Sequence, residues 1–265
     1  MAGPTTAERG AEEDLDSGPP PRRRLPGPRA LIAVAAALVL MAGVSLWVLY
    51  GSSWLRAERV SVSGVQVLTE AQVREAADVP LGEPLISVDT EAIESRLLRT
   101  LPRIDSVEVI RSWPHGIGLK VSERTPVLIV EAVGNSGKYV EVDAKGVRFA
   151  TVSRAPKGVP TLELALSRSG SSAASLRRFG EDRLVREAVR VARAIPAAIT
   201  PETLVVKVRS YDSISLELSG DRTVLWGSAE KGRAKGRALT ALMKAAPNAG
   251  HFDVSVPTAP ASAGS

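Results

Sequence analysis

From Ala30 to Tyr50 the chain runs ALIAVAAALVLMAGVSLWVLY, with no charged residue between Arg29 and Arg56. Twenty-odd apolar residues, rising about 1.5 Å each, cover the roughly 30 Å hydrocarbon layer of a bilayer. The pattern predicts one transmembrane helix over 30–50. Trp47, Tyr50 and Trp54 gather at its C-terminal end, where amphipathic rings favour the membrane interface. Gly51-Ser52-Ser53 offers small residues for signal cleavage, but the apolar core is longer than that of a signal peptide.

Beyond the helix the apolar periods shorten. Arg59 to Val65 alternates as a strand ending at Gly64, and Thr69-x-x-Gln72 is a capping box opening a helix from Glu70 to Ala77 that Pro80 stops. Asp89 caps a second helix, from Thr90 to about Leu101, with Ile93, Leu97, Leu98 and Leu101 as its stripe. Val107 and Val109, then Ile117, Leu119 and Val121, alternate on two strands joined by a Pro114-His115-Gly116 turn.

Residues 126–257 read as a second, β-rich unit. Pro126 to Glu131 is a buried strand, and Tyr139 to Phe149 a hairpin turning at Asp-Ala-Lys-Gly. Gly158 to Leu162 and the Ser/Gly-rich stretch SRSGSSAASLRRFG read as loops. A helix from about Glu181 to Ile195 carries Leu184, Val185, Ala188, Val191, Ala192 and Ile195 on one face. Strands at 204–208, 214–218 and 223–227 follow, then a helix from about Ser228 to Ala245 with Ala234, Ala238, Leu239, Leu242 and Ala245 inward and Lys231, Arg233, Lys235 and Arg237 outward. His251 to Pro257 is a last strand, in which Phe252, Val254 and Val256 share one face.

The predicted fold class is α+β: a transmembrane helix over 30–50, a β-α-α-β-β module over 57–125, and a mixed β-domain with two helices over 126–257. Residues 1–29 and 258–265 read as disordered tails. The first tail is split between an acidic stretch, Glu8 to Asp16, and a proline-flanked PPPRRRLPGPR, a composition that buries too little surface to order itself. Arg22, Arg23, Arg24 and Arg29 precede the apolar segment, whereas the charges of Arg56, Glu58 and Arg59 nearly cancel after it. The positive-inside rule then places the N-terminus in the cytoplasm and the later domains outside.

Composition removes several kinds of chemistry. With no cysteine, disulfides, thiolate nucleophiles and Cys-ligated metals are absent. The net charge of +5 is spread along the chain and aromatics are 4%, a distribution that lacks the basic stripe and stacking platform of a nucleic-acid site. Gly227 to Gly236 follows a strand and opens a helix as a P-loop does, but Arg233 and Ala234 stand where a P-loop needs Lys and Ser or Thr. His115 and His251 have no partner at metal-ligand spacing, and no serine lies in G-x-S-x-G. No catalytic, cofactor-binding or metal-binding residue is assigned.

The strand, helix, helix, strand, strand order is that of a POTRA module. With a single-pass anchor before it, RVSVSGV at its first strand, RSWP at its hairpin and Val121-Ser122-Glu123-Arg124-Thr125-Pro126 at its exit, the chain resembles the bacterial division family FtsQ/DivIB. Val142-Asp143, Gly146-Val147 and Phe149 resemble that family's short "VD…GV.F" signature. The resemblance covers roughly residues 30–257. It implies a non-catalytic scaffold of the divisome, enriched at the septum, that links early and late division proteins and controls septal wall synthesis. It also implies that the terminal strand of the β-domain takes up a strand from an FtsB/DivIC-type partner, itself paired with an FtsL-type protein and related to FtsW/FtsI-type machinery. That edge maps onto Phe252, Asp253, Val254, Ser255 and Val256. The lipid bilayer is the other partner; no small-molecule substrate is implied. The first POTRA strand, Val60–Val65, is a second candidate edge. Two other classes stay open at this point: a POTRA-bearing chaperone or translocation factor binding client strands, and an extracytoplasmic wall hydrolase or peptidase.

Overall fold

The computed structural model describes residues 28–51, 53–132, 134, 137–165 and 170–264. Arg22, Arg23 and Arg24, and with them most of the topology signal and the acidic tail, lie outside the described residues. Helix α1, Pro28–Leu46, continues through a wider π turn at Trp47–Gly51, and none of its side chains is buried by protein. The 24 residues of Pro28–Gly51 form one apolar helical span. At about 1.5 Å per residue it exceeds the hydrocarbon thickness of about 30 Å by roughly one turn.

The first folded domain contains β1 (Arg59–Ser63), α2 (Glu70–Ala77), α3 (Thr90–Thr100), β2 (Ile104–Ser112) and β3 (Gly116–Glu123). Its sheet has the order β1-β3-β2, with β1 parallel and β2 antiparallel to β3. Both helix starts are set locally. Thr69 and Gln72 form a reciprocal capping box, and the Asp89 carboxylate accepts from the Ala92 N–H. Val73, Ala77, Ile93 and Leu97 pack on Ile104, Ile117 and Leu119 as one core. Leu98 departs from the expected stripe and is exposed, because it lies off the line through Ile93 and Leu97. Gly64 has a positive φ, and a Cβ there would lie 2.0 Å from the Val121 carbonyl oxygen, so the chain leaves β1 only with glycine at this point.

The second domain is one nine-stranded mixed sheet. Its strands are β4 (Pro126–Glu131), β5 (Tyr139–Asp143), β6 (Arg148–Val152), β7 (Thr161–Leu164), β8 (Thr203–Ser210), β9 (Ser213–Leu218), β10 (Arg222–Gly227), β11 (His251–Asp253) and β12 (Ala261–Ala263). They lie in the order β12-β11-β10-β9-β8-β7-β4-β5-β6. The helices are α4 (Gly170–Phe179), α5 (Glu181–Ala194) and α6 (Gly232–Ala245). Leu184, Val185, Ala188, Val191 and Ala192 of α5 are buried with Val206, Val208, Leu216 and Trp226 of the sheet.

Several expectations are corrected. The stretch expected as a loop leading into a helix contains β7, which lies parallel to both β4 and β8 and joins the two halves of the sheet. Residues 170–179 of the Ser/Gly-rich stretch form α4, giving three helices rather than two among the described residues. Phe179 at its end stacks on Tyr211 with centroids 4.5 Å apart, and Ser175 Oγ accepts from the Tyr211 N–H. The inward face of α6 runs through Lys235, Gly236 and Leu239, while Ala245 is exposed. A Cβ on Gly232 would lie 2.7 Å from Ala194 Cβ, and one on Gly236 would lie 2.8 Å from the Ala194 carbonyl oxygen. The glycine-rich approach to α6 therefore lets it close against the end of α5.

Candidate functional site

The two domains meet through residues of the two short strings noted in the sequence. Glu123, at the end of β3, accepts backbone N–H bonds from Gln66, Val67 and Leu68 and so holds the β1–α2 loop. Arg124 turns the other way, pairing with Asp143 of β5 and, at 3.0 Å, with Asp105 of β2. Asp143 Oδ1 also accepts from the backbone N–H groups of Lys145 and Val147, each at 2.8 Å. Beside this pair Arg103 reaches Glu141 at 2.6 Å and lies over the Phe149 ring.

Asp143 and Glu141 are both buried. Burial alone would raise the Asp143 carboxyl. The Val147 N–H, the Arg124 guanidinium and the Lys145 N–H together outweigh burial and hold it below its ordinary range. The module exit and the first hairpin of the second domain are thus locked by buried, charge-assisted bonds rather than joined by a loose linker.

At the far end of the sheet lie Phe252, Asp253, Val254, Ser255 and Val256. Only His251–Asp253 forms the strand. It lies parallel to β10, pairing Val224 with Phe252 and Leu225 with Asp253, and the Val254 N–H donates to the Leu225 carbonyl at 3.0 Å. Asp253 Oδ1 then accepts from both the N–H and the hydroxyl of Ser255, at 2.8 and 2.6 Å, which turns the chain away. The expected strand to Pro257 is therefore cut short. Phe252 and Val254 are buried while Val256 is 55% exposed, so the three do not share a face.

The outer side of β11 is occupied by this chain's own C-terminal residues. β12 runs antiparallel to it, pairing Phe252 with Ser262 and Asp253 with Ala261, and the Gly250 N–H donates to the Gly264 carbonyl. The expected disordered tail thus contains a three-residue strand, and all three of its side chains are exposed. A groove of about 230 Å³ runs between the two strands, lined by Thr223, Leu225, His251, Asp253, Ala261 and Ala263 among others.

Close by, Lys235 is buried rather than outward as its helical position suggested. Its Nζ donates to the carbonyls of Trp226 at 2.9 Å and Ser228 at 2.8 Å. Burial pulls this ammonium below the usual lysine range, opposed by Glu230 and more weakly by Asp253. The other candidate edge, β1, has β3 as its only strand neighbour among the described residues. Among the described residues no group of three His, Asp or Glu side chains is placed to hold a metal ion.

A membrane-length apolar helix running directly into a β-α-α-β-β domain, followed by a mixed sheet, defines a membrane-anchored POTRA protein. The family model described as "POTRA domain, FtsQ-type" matches residues 55–124. Over its whole length the chain is 70% identical to the cell division protein FtsQ of Streptomyces coelicolor, all of which is covered. It is 56% identical to that of Streptomyces venezuelae, covering all of this chain and 99% of the relative. It is 30% identical to that of Mycolicibacterium smegmatis over 91% of this chain and 66% of the relative. The chain belongs to the FtsQ family of cell division proteins.

Proposed function

We propose that this membrane-anchored division protein is a non-catalytic scaffold, with its N-terminus in the cytoplasm and both folded domains outside, concentrated at the septum. It links early and late division proteins and controls septal wall synthesis by holding an FtsB/DivIC-type protein, paired with an FtsL-type protein, next to FtsW/FtsI-type machinery. The partner strand joins the nine-stranded sheet at β11. The observation that carries this reading is the weak occupancy of that edge: β12 has three small, exposed residues and adds no side chain to the core. Such a strand is held by a few backbone bonds, each worth about 0.5–1.5 kcal/mol net, and a longer strand with larger side chains can replace it.

Among the described residues there is one POTRA module and the anchor runs directly into it, which favours a scaffold over a chaperone that presents POTRA edges in series. Depletion in growing cells, with a fluorescent fusion to follow position, tests the reading. The expected result is signal at forming septa and loss of septation on depletion. Uniform membrane signal with normal septation would overturn it.

A further inference from the structure

We propose that the POTRA domain rests on the lipid surface through its β2–β3 hairpin tip and the neighbouring Leu81 loop, so that the membrane is a docking surface for the domain as well as for the anchor. The inference starts from how short the connection is. Gly51 ends the apolar helix, and Trp54 follows three residues later, at most about 11 Å along even a fully extended chain. The headgroup layer outside the hydrocarbon is roughly 5–8 Å thick on each side. The apolar helix exceeds the hydrocarbon by about one turn, so the Trp47–Gly51 turn already lies in that layer.

The domain is stitched to this segment without a spacer. The Trp54 carbonyl accepts from His115 Nδ1 at 2.7 Å, and the N–H groups of Glu58 and Arg59 donate to the His115 carbonyl at 2.9 and 3.2 Å. His115 sits at the tip of the hairpin, two residues from Trp113. On the other side Arg56 donates to the Gly82 carbonyl at 2.7 Å, the Ala57 N–H donates to Glu83 and the Gly82 N–H to Ala57. The Trp47–Gly51 turn itself lies against Leu85–Ser87. Both the hairpin tip and the 81–84 loop are therefore fixed at the depth where the anchor emerges.

These two segments carry large apolar groups that the protein leaves uncovered. Trp113 on the hairpin is 50% exposed and Leu81 on the loop 60%; Trp54 in the connecting segment, its ring tilted against that of His115 with centroids 6.5 Å apart, is 64% exposed. Indole rings favour the interface because the ring is apolar and its N–H polar. Arg59, also exposed, lines a cleft of about 520 Å³ with Trp113 and Pro114, which sets a cation where lipid phosphates lie. The occupant is the bilayer, since the same stretch of chain is continuous with the membrane helix. The consequence is a fixed tilt: a domain held by the anchor, the hairpin tip and the Leu81 loop presents the β-domain in one orientation instead of swinging from a flexible stalk.

The absence of cysteine makes the test direct. Single cysteines are introduced in the full chain by Leu81→Cys, Ser112→Cys, Val67→Cys and Leu204→Cys, labelled with an environment-sensitive dye, and reconstituted in vesicles of phosphatidylcholine and phosphatidylglycerol carrying a headgroup spin-label quencher. Ser112→Cys keeps Trp113 in place. Labels at 81 and 112 are expected to be quenched several-fold more than those at 67 and 204. Adding Trp113→Ser to the Leu81→Cys chain should lower quenching at 81 while the thermal unfolding profile stays that of the parent. Equal, weak quenching at all four positions would overturn the proposal. So would an unchanged signal at 81 after Trp113→Ser.

Discussion

Asp143→Asn keeps the shape of a buried side chain and removes only its charge. Asp143 is 4% exposed, with one oxygen on two backbone N–H groups and the other on Arg124. Asparagine can still accept from Lys145 and Val147 through its carbonyl, but its amide then faces the guanidinium. Losing a charge-assisted bond costs about 1.5–3 kcal/mol. The full cost of breaking a buried pair, about 3–5 kcal/mol, is not reached because Arg124 retains Asp105 at 3.0 Å. We expect about 2 kcal/mol, which in a unit of this size lowers Tm by roughly 4–8 °C.

The assay is thermal unfolding of the full chain in detergent, with Arg124→Ala and the double variant completing a cycle. Because the two residues form one buried unit, the double variant should lose less than the sum of the singles, by about 1 kcal/mol or more. Acid sharpens the test. A carboxyl held below its ordinary range contributes stability that is full above the unfolded value and is lost as pH falls through the folded one. The gap between wild type and Asp143→Asn should be constant at neutral pH and close below about pH 4. A variant within about 0.5 kcal/mol of wild type, additive with Arg124→Ala, would refute the locked joint.

Three further outcomes follow from particular contacts. Gly236→Ala, normally worth about 1 kcal/mol to a helix, should instead lower stability by about 1–2 kcal/mol, because its Cβ would lie 2.8 Å from the Ala194 carbonyl oxygen; a rise in Tm would contradict the close approach of α6 to α5. Lys235→Met should flatten a rise in stability toward alkaline pH: the folded state sheds this proton before the unfolded state does, so stability grows as pH climbs toward 10.5, and identical alkaline profiles for wild type and variant would argue against a buried ammonium. Deleting residues 258–264 should lower Tm by only about 3–6 °C and tighten binding of the FtsB/DivIC-type partner, roughly tenfold if β12 is worth about 1.4 kcal/mol. Weaker binding would mean instead that the partner adds to the outer edge of β12.

The first domain was legible because its signals are local. A capping box at Thr69 and Gln72, an Asp89 cap, and two alternating strands across a proline turn leave little for distant contacts to decide. The second domain was legible only in part. β7 is four residues long and depends on parallel neighbours far away in sequence. α4 opens on Gly-Ser-Ser and carries a further serine, all poorer helix formers than alanine, and its contacts to Tyr211 override that preference. β12 is Ala-Ser-Ala, which carries no strand pattern at all, and it exists because β11 offers a ladder. The candidate edge suffered most: alternation through Val256 looked continuous, while the bonds from Ser255 to Asp253 end the strand three residues earlier, at Asp253. Lys235 was misplaced for a similar reason, since helical periodicity does not reveal that two carbonyls at the end of β10 await a donor. The strings around Glu123–Arg124 and Asp143 were visible as motifs, but their meeting across the joint was not.

Photo-crosslinking in growing cells tests the central claim most directly. A photoreactive amino acid placed at His251 or Val256, both exposed at the end of the sheet, should form an adduct with an FtsB/DivIC-type protein, and one at Arg209 on β8 should not. Adducts absent from 251 and 256 but present from β1 of the POTRA domain would contradict strand uptake at this edge.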